Sequence, residues 1–256
     1  VVIALLTGGY FAWQTNSSLN ENQNGTVEVI HELGTVQVPK NPQNIVVFDY
    51  GTLDNLDSLG VKVAGVAKSN LPEYLAKFAN DEYTDIGTLF EPNYEQLAKM
   101  KPDVIFISGR QKEAYTALSE IAPTVYLTID ANDYIGSFKQ NVETVADITN
   151  KEKEAKILLE NIDTKIAELK KMTEAKNPTG LILLTNQGKI SAYGPSSRFG
   201  IIHNTFGVKA VDENIETSTH GQSVNYEYIV AKNPEYIFVV DRNKVLGDEV
   251  GNSMFE

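Results

Sequence analysis

Apolar and polar positions alternate along TVEVIHELGTVQVP (26–39) on either side of Gly34, which predicts two short strands joined as a β-hairpin. NIVVFDYG (44–51) follows with the unbroken apolar run IVVF, the pattern of a strand covered on both faces. TLDNLDSLG (52–60) predicts a short helix ending at Gly60, where a left-handed cap costs little. VKVAGVA (61–67) is the next strand, YEQLAKMK (94–101) a helix broken before Pro102, and DVIFISG (103–109) and PTVYLTID (123–130) further strands. Strands and helices in alternation, with apolar strand runs, imply a parallel sheet with helices on both faces.

A second series starts near Gly180. GLILLTNQGKISAYG (180–194) contains two strand-like stretches, and SSRFGIIHNTFGVKAV (196–211) parallels the earlier helix, Gly, Val-Lys order of TLDNLDSLGVKVAGV. NYEYIVAKNPEYIFVVDRN (225–243) then repeats NYEQLAKMKPDVIFISGRQ (93–111) at an offset of 132 residues. Both copies open on Asn-Tyr-Glu, hold a Pro at the middle and Ile-Phe in an apolar run, and close on Arg. The chain is therefore expected to hold two similar α/β lobes, at 26–134 and 178–256. Between them, Ala155, Leu158, Ile162, Ile166, Leu169 and Met172 recur at three- and four-residue spacing, one face of a helix. No Gly or Pro interrupts 137–177, so one long rigid helix over 135–177 is expected to link the lobes. The counterpart of the strand at Thr124 would begin at residue 256, so the second lobe is expected to lack its last strand and helix in this sequence.

Composition narrows the function. A net charge of −12 leaves no basic stripe for phosphate contacts and excludes nucleic acid as a partner. The absence of Cys removes disulfides, thiolate metal sites and cysteine nucleophiles. Of 22 basic residues only three are Arg: Arg110, Arg198 and Arg242. Lys is the general solubilising cation here, and Arg is kept for positions that suit a planar, permanently charged fork. Arg110 and Arg242 close the two copies of the repeat, just past predicted buried strands, where open α/β sheets bind ligands. A structural ion pair, for instance with Asp103 or Asp241, is the plainer alternative. Arg198 follows YGPSS and opens a predicted helix, a place unfavourable to a cation unless an anion sits there too; a solvated surface Arg is the alternative. His220 lies in the polar loop IETSTHGQS, outside any apolar period, whereas His203 sits in the apolar helix FGIIHNTFG and reads as packing. Glu95 and Glu227 stand two residues after Asn93 and Asn225, where an Asn cap and a first-turn Glu already serve helix starts.

The first 25 residues form a unit of their own. Thirteen mostly apolar residues run into an Asn- and Ser-rich tail, which reads as the remainder of a signal peptide or membrane anchor followed by a tether. The apolar run is too short to span a bilayer as it stands. LTGG resembles a lipoprotein box, with Gly9 where the lipidated Cys would be.

HELGTVQVPKNPQNIVVFDYGTLDNLDSLG, SNLPEYL, GTLFEPNYEQLAKMKPDVIFISGRQ, YGPSSRFGIIHNTFG and VVDRN together resemble the substrate-binding proteins of bacterial iron-siderophore and vitamin B12 ABC importers. Among these, the catecholate-siderophore binders are most similar. The resemblance covers 26–256 and implies the class III substrate-binding-protein fold. It further implies a non-enzymatic, monomeric, extracytoplasmic protein, tethered at its N-terminus, with no intrinsic cofactor. Such a protein would carry a ferric siderophore to an ABC permease. The family's anion-binding arginine triad falls on Arg110, Arg198 and Arg242. Its iron-ligating histidine falls on His220, which would reach the metal only with a tetradentate siderophore, and its iron-ligating tyrosine falls beyond Glu256. The permease-docking glutamates fall on Glu95 and Glu227. A haem or cobalamin binder of the same fold and a non-transport ligand sensor stay open. An esterase does not fit, because GPSSR lacks the second Gly of G-x-S-x-G. Three scattered His do not suit a zinc or manganese carrier.

Overall fold

The computed structural model describes residues 25–246. The expected N-terminal signal or anchor segment and the residues beyond 246 lie outside that range. β1 (Thr26–His31) and β2 (Gly34–Pro39) form the expected antiparallel hairpin, with Val29 opposite Val36. β3 (Ile45–Val47) leads into α1 (Tyr50–Ser58), whose N-cap Asp49 accepts from the Thr52 N–H at 2.8 Å. β4 (Gly65–Val66), β5 (Thr84–Asp85), α2 (Tyr94–Met100), β6 (Val104–Ile107), α3 (Tyr115–Ser119) and β7 (Thr124–Tyr126) follow. Their five strands make one sheet in the order β5-β4-β3-β6-β7, and every pairing in it is parallel. The two-residue period splits the strand side chains between two cores. Ile45, Val47, Val104 and Phe106 join Leu53 and Leu56 of α1. Val46, Ile105 and Ile107 join Leu97 of α2 and Leu118 of α3.

The linker differs from the single helix expected over 135–177. It is two helices, α4 (Tyr134–Thr149) and α5 (Glu152–Lys176). The break is at Asn150, which takes φ 56° and ψ 42° and returns its N–H to the Ala146 carbonyl. Asn tolerates the left-handed region at modest cost, so a helix can stop there without Gly or Pro. α4 belongs to the first lobe, burying Val142, Val145 and Ile148 in its core. α5 is the long connection. Its first turns bury Ala155 and Leu159 in the first-lobe core, and near its end Thr173 donates to the Phe206 carbonyl at 2.7 Å. In between, the expected apolar face is only half covered: Leu169 is 37% and Met172 57% exposed. A helix that crosses between two bodies has nothing to bury its middle against.

The second sheet contains β8 (Thr179–Asn186), β9 (Lys189–Tyr193), β10 (Lys209–Ala210), β11 (Gln222–Val224) and β12 (Tyr236–Asp241), with α6 (Ile201–Asn204), α7 (Tyr226–Lys232) and α8 (Arg242–Leu246). It is mixed rather than parallel. β10 and β12 run parallel to β8, while β9 and β11 are antiparallel. The cause is the two-residue turn at Gln187 and Gly188, both at positive φ, which folds β8 back into β9 as a hairpin.

The sequence repeat is a structural repeat. α2 and α7 are each seven residues long and stand 132 residues apart. Asn93 caps one by accepting from the Gln96 N–H at 3.0 Å, and Asn225 caps the other by accepting from the Tyr228 N–H at 2.9 Å. Both end on a left-handed residue, Lys101 and Asn233. The surroundings differ. β6 is wholly buried between β3 and β7. Among the described residues β12 pairs with β8 alone, and Tyr236, Ile237 and Val239 are 53%, 42% and 43% exposed, so the second apolar run is not the buried strand expected.

Candidate functional site

In the first lobe the parallel strands deliver their loops to one end of the sheet, among them those after β3, β4, β5 and β6. Arg110 is in the loop after β6, in a 3₁₀ turn that follows Ser108. It is exposed, and its guanidinium lies 6.0 Å from the centre of the Phe90 ring in the loop after β5. Tyr50, the first residue of α1 just after β3, sits in its field. The Tyr50 hydroxyl donates to the carbonyls of Ala67, at 3.1 Å, and Ser69. Burial pushes this phenol up to about 12, against the pull of the Arg110 charge, so it stays a neutral donor at physiological pH. Asp103 is engaged at the opposite end of the sheet, accepting from the Gln43 and Asn44 N–H groups at 2.8 Å each. It is no partner for Arg110.

In the second lobe Arg198 lies in a turn three residues before α6, not at a helix start. The helix-dipole expectation for this residue therefore does not hold; α6 has only four residues. Packing holds Arg198 instead. Its guanidinium sits 4.8 Å from the Phe199 ring centre and 5.4 Å from that of Tyr193, and donates to the Tyr193 hydroxyl at 3.2 Å. Tyr193 is itself buried. His220 is exposed in the loop before β11, and Gly221 beside it takes φ +71°. A Cβ on Gly221 would come within 2.7 Å of the Tyr193 ring and 2.8 Å of the Ala192 carbonyl, so only Gly lets the His220 loop lie against Tyr193. Arg198 and the loop that carries His220 thus both lie against Tyr193.

Arg242 is exposed as the first residue of α8, at the C-terminal end of β12. Asp241 caps that helix by accepting from the Lys244 N–H at 3.1 Å. Among the described residues no hydrogen bond or ring contact joins Arg242 to the Arg198 group or to the Arg110 group. The ion pairs among the described residues all use lysine as the cation, and none of the three arginines takes part. His203 packs as expected: its Nδ1 bonds the Val208 carbonyl at 2.7 Å, and burial lowers its pKa.

Glu95 and Glu227 occupy equivalent places in the first turns of α2 and α7, and both are exposed. Glu95 pairs with Lys99 at 2.7 Å, an i,i+4 contact between side chains 80% and 66% exposed. Tyr94 and Tyr226 stand beside them, 41% and 52% exposed. Among the described residues no group of three or more His, Cys, Asp or Glu could hold a metal ion. None of the described helices is long and apolar enough to cross a membrane.

Sequence reasoning missed the aromatic partners of the arginines, Phe90, Tyr193 and Phe199. No local signal sets them apart: Phe90 stands between Leu89 and Glu91, Tyr193 closes a predicted strand and Phe199 falls in a predicted helix.

Residues 45–254 match the periplasmic binding protein family. The chain is 49% identical over 239 residues to the petrobactin-binding protein YclQ of Bacillus subtilis (strain 168), an alignment covering 91% of this chain and 75% of that protein. The crystal structure of YclQ superposes with a TM-score of 0.86, over 90% of this chain and 81% of that one. The ferric-anguibactin-binding protein FatB of Vibrio anguillarum (strain ATCC 68554 / 775) is 31% identical over 225 residues, 86% of this chain and 70% of FatB. The crystal structure of the periplasmic catecholate-siderophore binding protein VctP of Vibrio cholerae is 31% identical, with a TM-score of 0.83 over 89% of this chain and 82% of that one.

Proposed function

This chain belongs to the periplasmic binding protein family, and from that premise we propose that it captures a ferric catecholate siderophore and delivers it to an ABC importer for iron uptake. It is the substrate-binding protein of such an importer, and its ligand is the ferric siderophore. The family consists of ligand-binding transport proteins, and we read this member as one that hands its cargo on without chemistry.

One observation carries the residue assignment: three arginines in a lysine-rich chain, all exposed, none in an ion pair among the described residues. An Arg left unpaired beside an aromatic ring keeps its fork for a ligand. Arg110, Arg198 and Arg242 are read as the anion-binding groups. A ferric tris-catecholate carries three negative charges, so three guanidinium groups balance it locally inside a protein of net charge −12. His220, exposed in the loop that lies against Tyr193, is read as an iron ligand only for a tetradentate siderophore, which leaves coordination positions open. Glu95 and Glu227, one exposed on each of two equivalent helices, are read as the permease contacts. The protein works outside the cytoplasm, and we assign residues 1–25 the role of tether to the membrane.

The reading is tested by titrating the full-length protein with ferric petrobactin, a ferric tris-catecholate, a ferric tris-hydroxamate, haem and cobalamin, following quenching of its tyrosine fluorescence. Tight binding confined to the ferric catecholates supports it. A preference for haem or cobalamin overturns it.

A further inference from the structure

We propose that Phe90 is a stacking platform for an aromatic ring of the ligand and a determinant of its selectivity for catecholates; this rests on the reading of the chain as a ferric-siderophore binder. Phe90 is 73% exposed, on the loop that follows β5, at the sheet end that also holds Arg110. A phenyl ring left in water gains nothing for the fold, yet the loop is built to hold it there. Gly87 takes φ +105°, and a Cβ on it would meet the Glu91 carbonyl at 2.3 Å, so the turn is too tight for another residue. Thr88 closes the turn: its N–H donates to the Glu91 carbonyl at 3.0 Å, and its Oγ1 accepts from the N–H groups of Phe90, at 3.2 Å, and Glu91, at 2.9 Å. Leu89 faces inward against the core cluster under α2 and α3. Its carbonyl accepts from the side-chain amide of Gln111, the buried neighbour of Arg110, whose Oε1 in turn accepts from the Ser108 N–H at 3.1 Å. Gln111 therefore fixes the Phe90 loop to the Arg110 loop, and the ring and the guanidinium are held as one unit.

That unit matches a catecholate. The guanidinium near the Phe90 ring draws on its electron density, which favours an electron-rich ring stacking on the uncovered part of the face. The anionic oxygens of such a ring then lie within the field of Arg110. A ferric tris-hydroxamate is neutral and offers no ring, and a carboxylate chelator carries charge but likewise offers no ring. The second lobe repeats the chemistry in a different layout, with Arg198 against Phe199 and Tyr193.

The test is a double-mutant cycle on the full-length protein, with ferric petrobactin as the probe. Phe90→Leu keeps bulk and removes the π face, Phe90→Trp keeps a π face, and each is made with and without Arg110→Lys. Phe90→Leu should weaken binding about two- to twelvefold, the range for an aromatic pair. Phe90→Trp should stay within about twofold of wild type, and unfolding midpoints should not move because the ring is exposed. The cost of Phe90→Leu should persist in the Arg110→Lys background, since the ring touches the ligand itself. Equal affinity for wild type and Phe90→Leu overturns the platform and leaves the siderophore reading standing. A Phe90→Leu cost that vanishes in the Arg110→Lys background also overturns it, because Phe90 then only positions Arg110. Wild-type protein that binds no ferric siderophore overturns the functional reading, and the platform with it.

Discussion

Arg198→Lys separates the role of charge from the role of shape. The substitution keeps the positive charge and, at 4.8 Å and 5.4 Å from two ring centres, leaves an ammonium able to sit over the same Phe199 and Tyr193 faces. What it removes is the fork, and with it one of two parallel charge-assisted hydrogen bonds to the ligand. Such a bond contributes about 1.5–3 kcal/mol. Affinity for a ferric catecholate should therefore fall by about 10- to 150-fold, at 1.4 kcal/mol per factor of ten. Stability should change by less than about 1 kcal/mol, because Arg198 is exposed, its one hydrogen bond among the described residues goes to the Tyr193 hydroxyl at 3.2 Å, and an ammonium keeps the two ring faces. Arg198→Gln supplies the contrast: it loses the charge as well, so its affinity should be lower still and depend less on salt than that of Arg198→Lys. Quenching titrations at two ionic strengths measure both effects, and urea unfolding checks the fold. Affinity within twofold of wild type for Arg198→Lys, and likewise for Arg110→Lys and Arg242→Lys, would refute the assignment of these residues to the anion.

Glu95→Lys combined with Glu227→Lys should abolish iron uptake by cells while leaving siderophore affinity intact; uptake at the wild-type rate reduces both residues to helix-start carboxylates. His220→Ala in the full-length protein should weaken a ferric bis-catecholate at least tenfold and a ferric tris-catecholate little, and equal effects on the two, including none on either, remove it from the iron's coordination sphere. Acid stability should depend on Asp212, whose carboxyl pKa is lowered first by its contact with Lys232 at 2.6 Å. The stabilisation is complete above the unfolded value of 3.8 and is lost as pH falls through the lower folded one, so Lys232→Met should lower stability at pH 6 and flatten the loss below pH 4, measured by thermal unfolding.

Local signals carried the reading of the fold where a short stretch decides its own conformation. Asn93 and Asn225 cap their helices by side-chain bonds to the residue three on, and Gly60 sits at φ +69° just past α1, as the sequence implied. The repeat was legible because both copies need the same caps and turns. Features that depend on distant contacts were not. Asn150 breaks the linker because α4 has a first-lobe core to join and α5 leaves that core after Leu159, and no neighbouring residue announces it. The antiparallel β9 follows from two positive-φ residues, of which only Gly188 was conspicuous. The arginines stood out by their rarity, whereas the rings against them did not: Phe90 and Tyr193 differ from ordinary aromatic residues only in what the folded chain places beside them.

The two copies of the repeat also divide the work. What they share faces outward: an Asn cap, an exposed Tyr, then an exposed Glu, at α2 and again at α7. A like pair of surfaces, one per lobe, suits a partner that presents like surfaces to both. What they do not share lies in the loops just before those helices. Thr88 and His220 are equivalent by the offset of 132, yet Thr88 is consumed by its own turn, which holds Phe90 out, while His220 stands exposed on the Tyr193 ring's neighbour Gly221. Both lobes hold a ring beside an arginine, but the first leaves Phe90 exposed, whereas the second buries Tyr193 and adds an exposed imidazole. A symmetric cleft would hold a metal chelate in two equivalent orientations. On the proposed assignment unlike loops break that degeneracy: the chelate would meet Phe90 and Arg110 from one lobe and His220 and Arg198 from the other, while the exposed Glu95 and Glu227 keep the symmetry that the proposed docking would use.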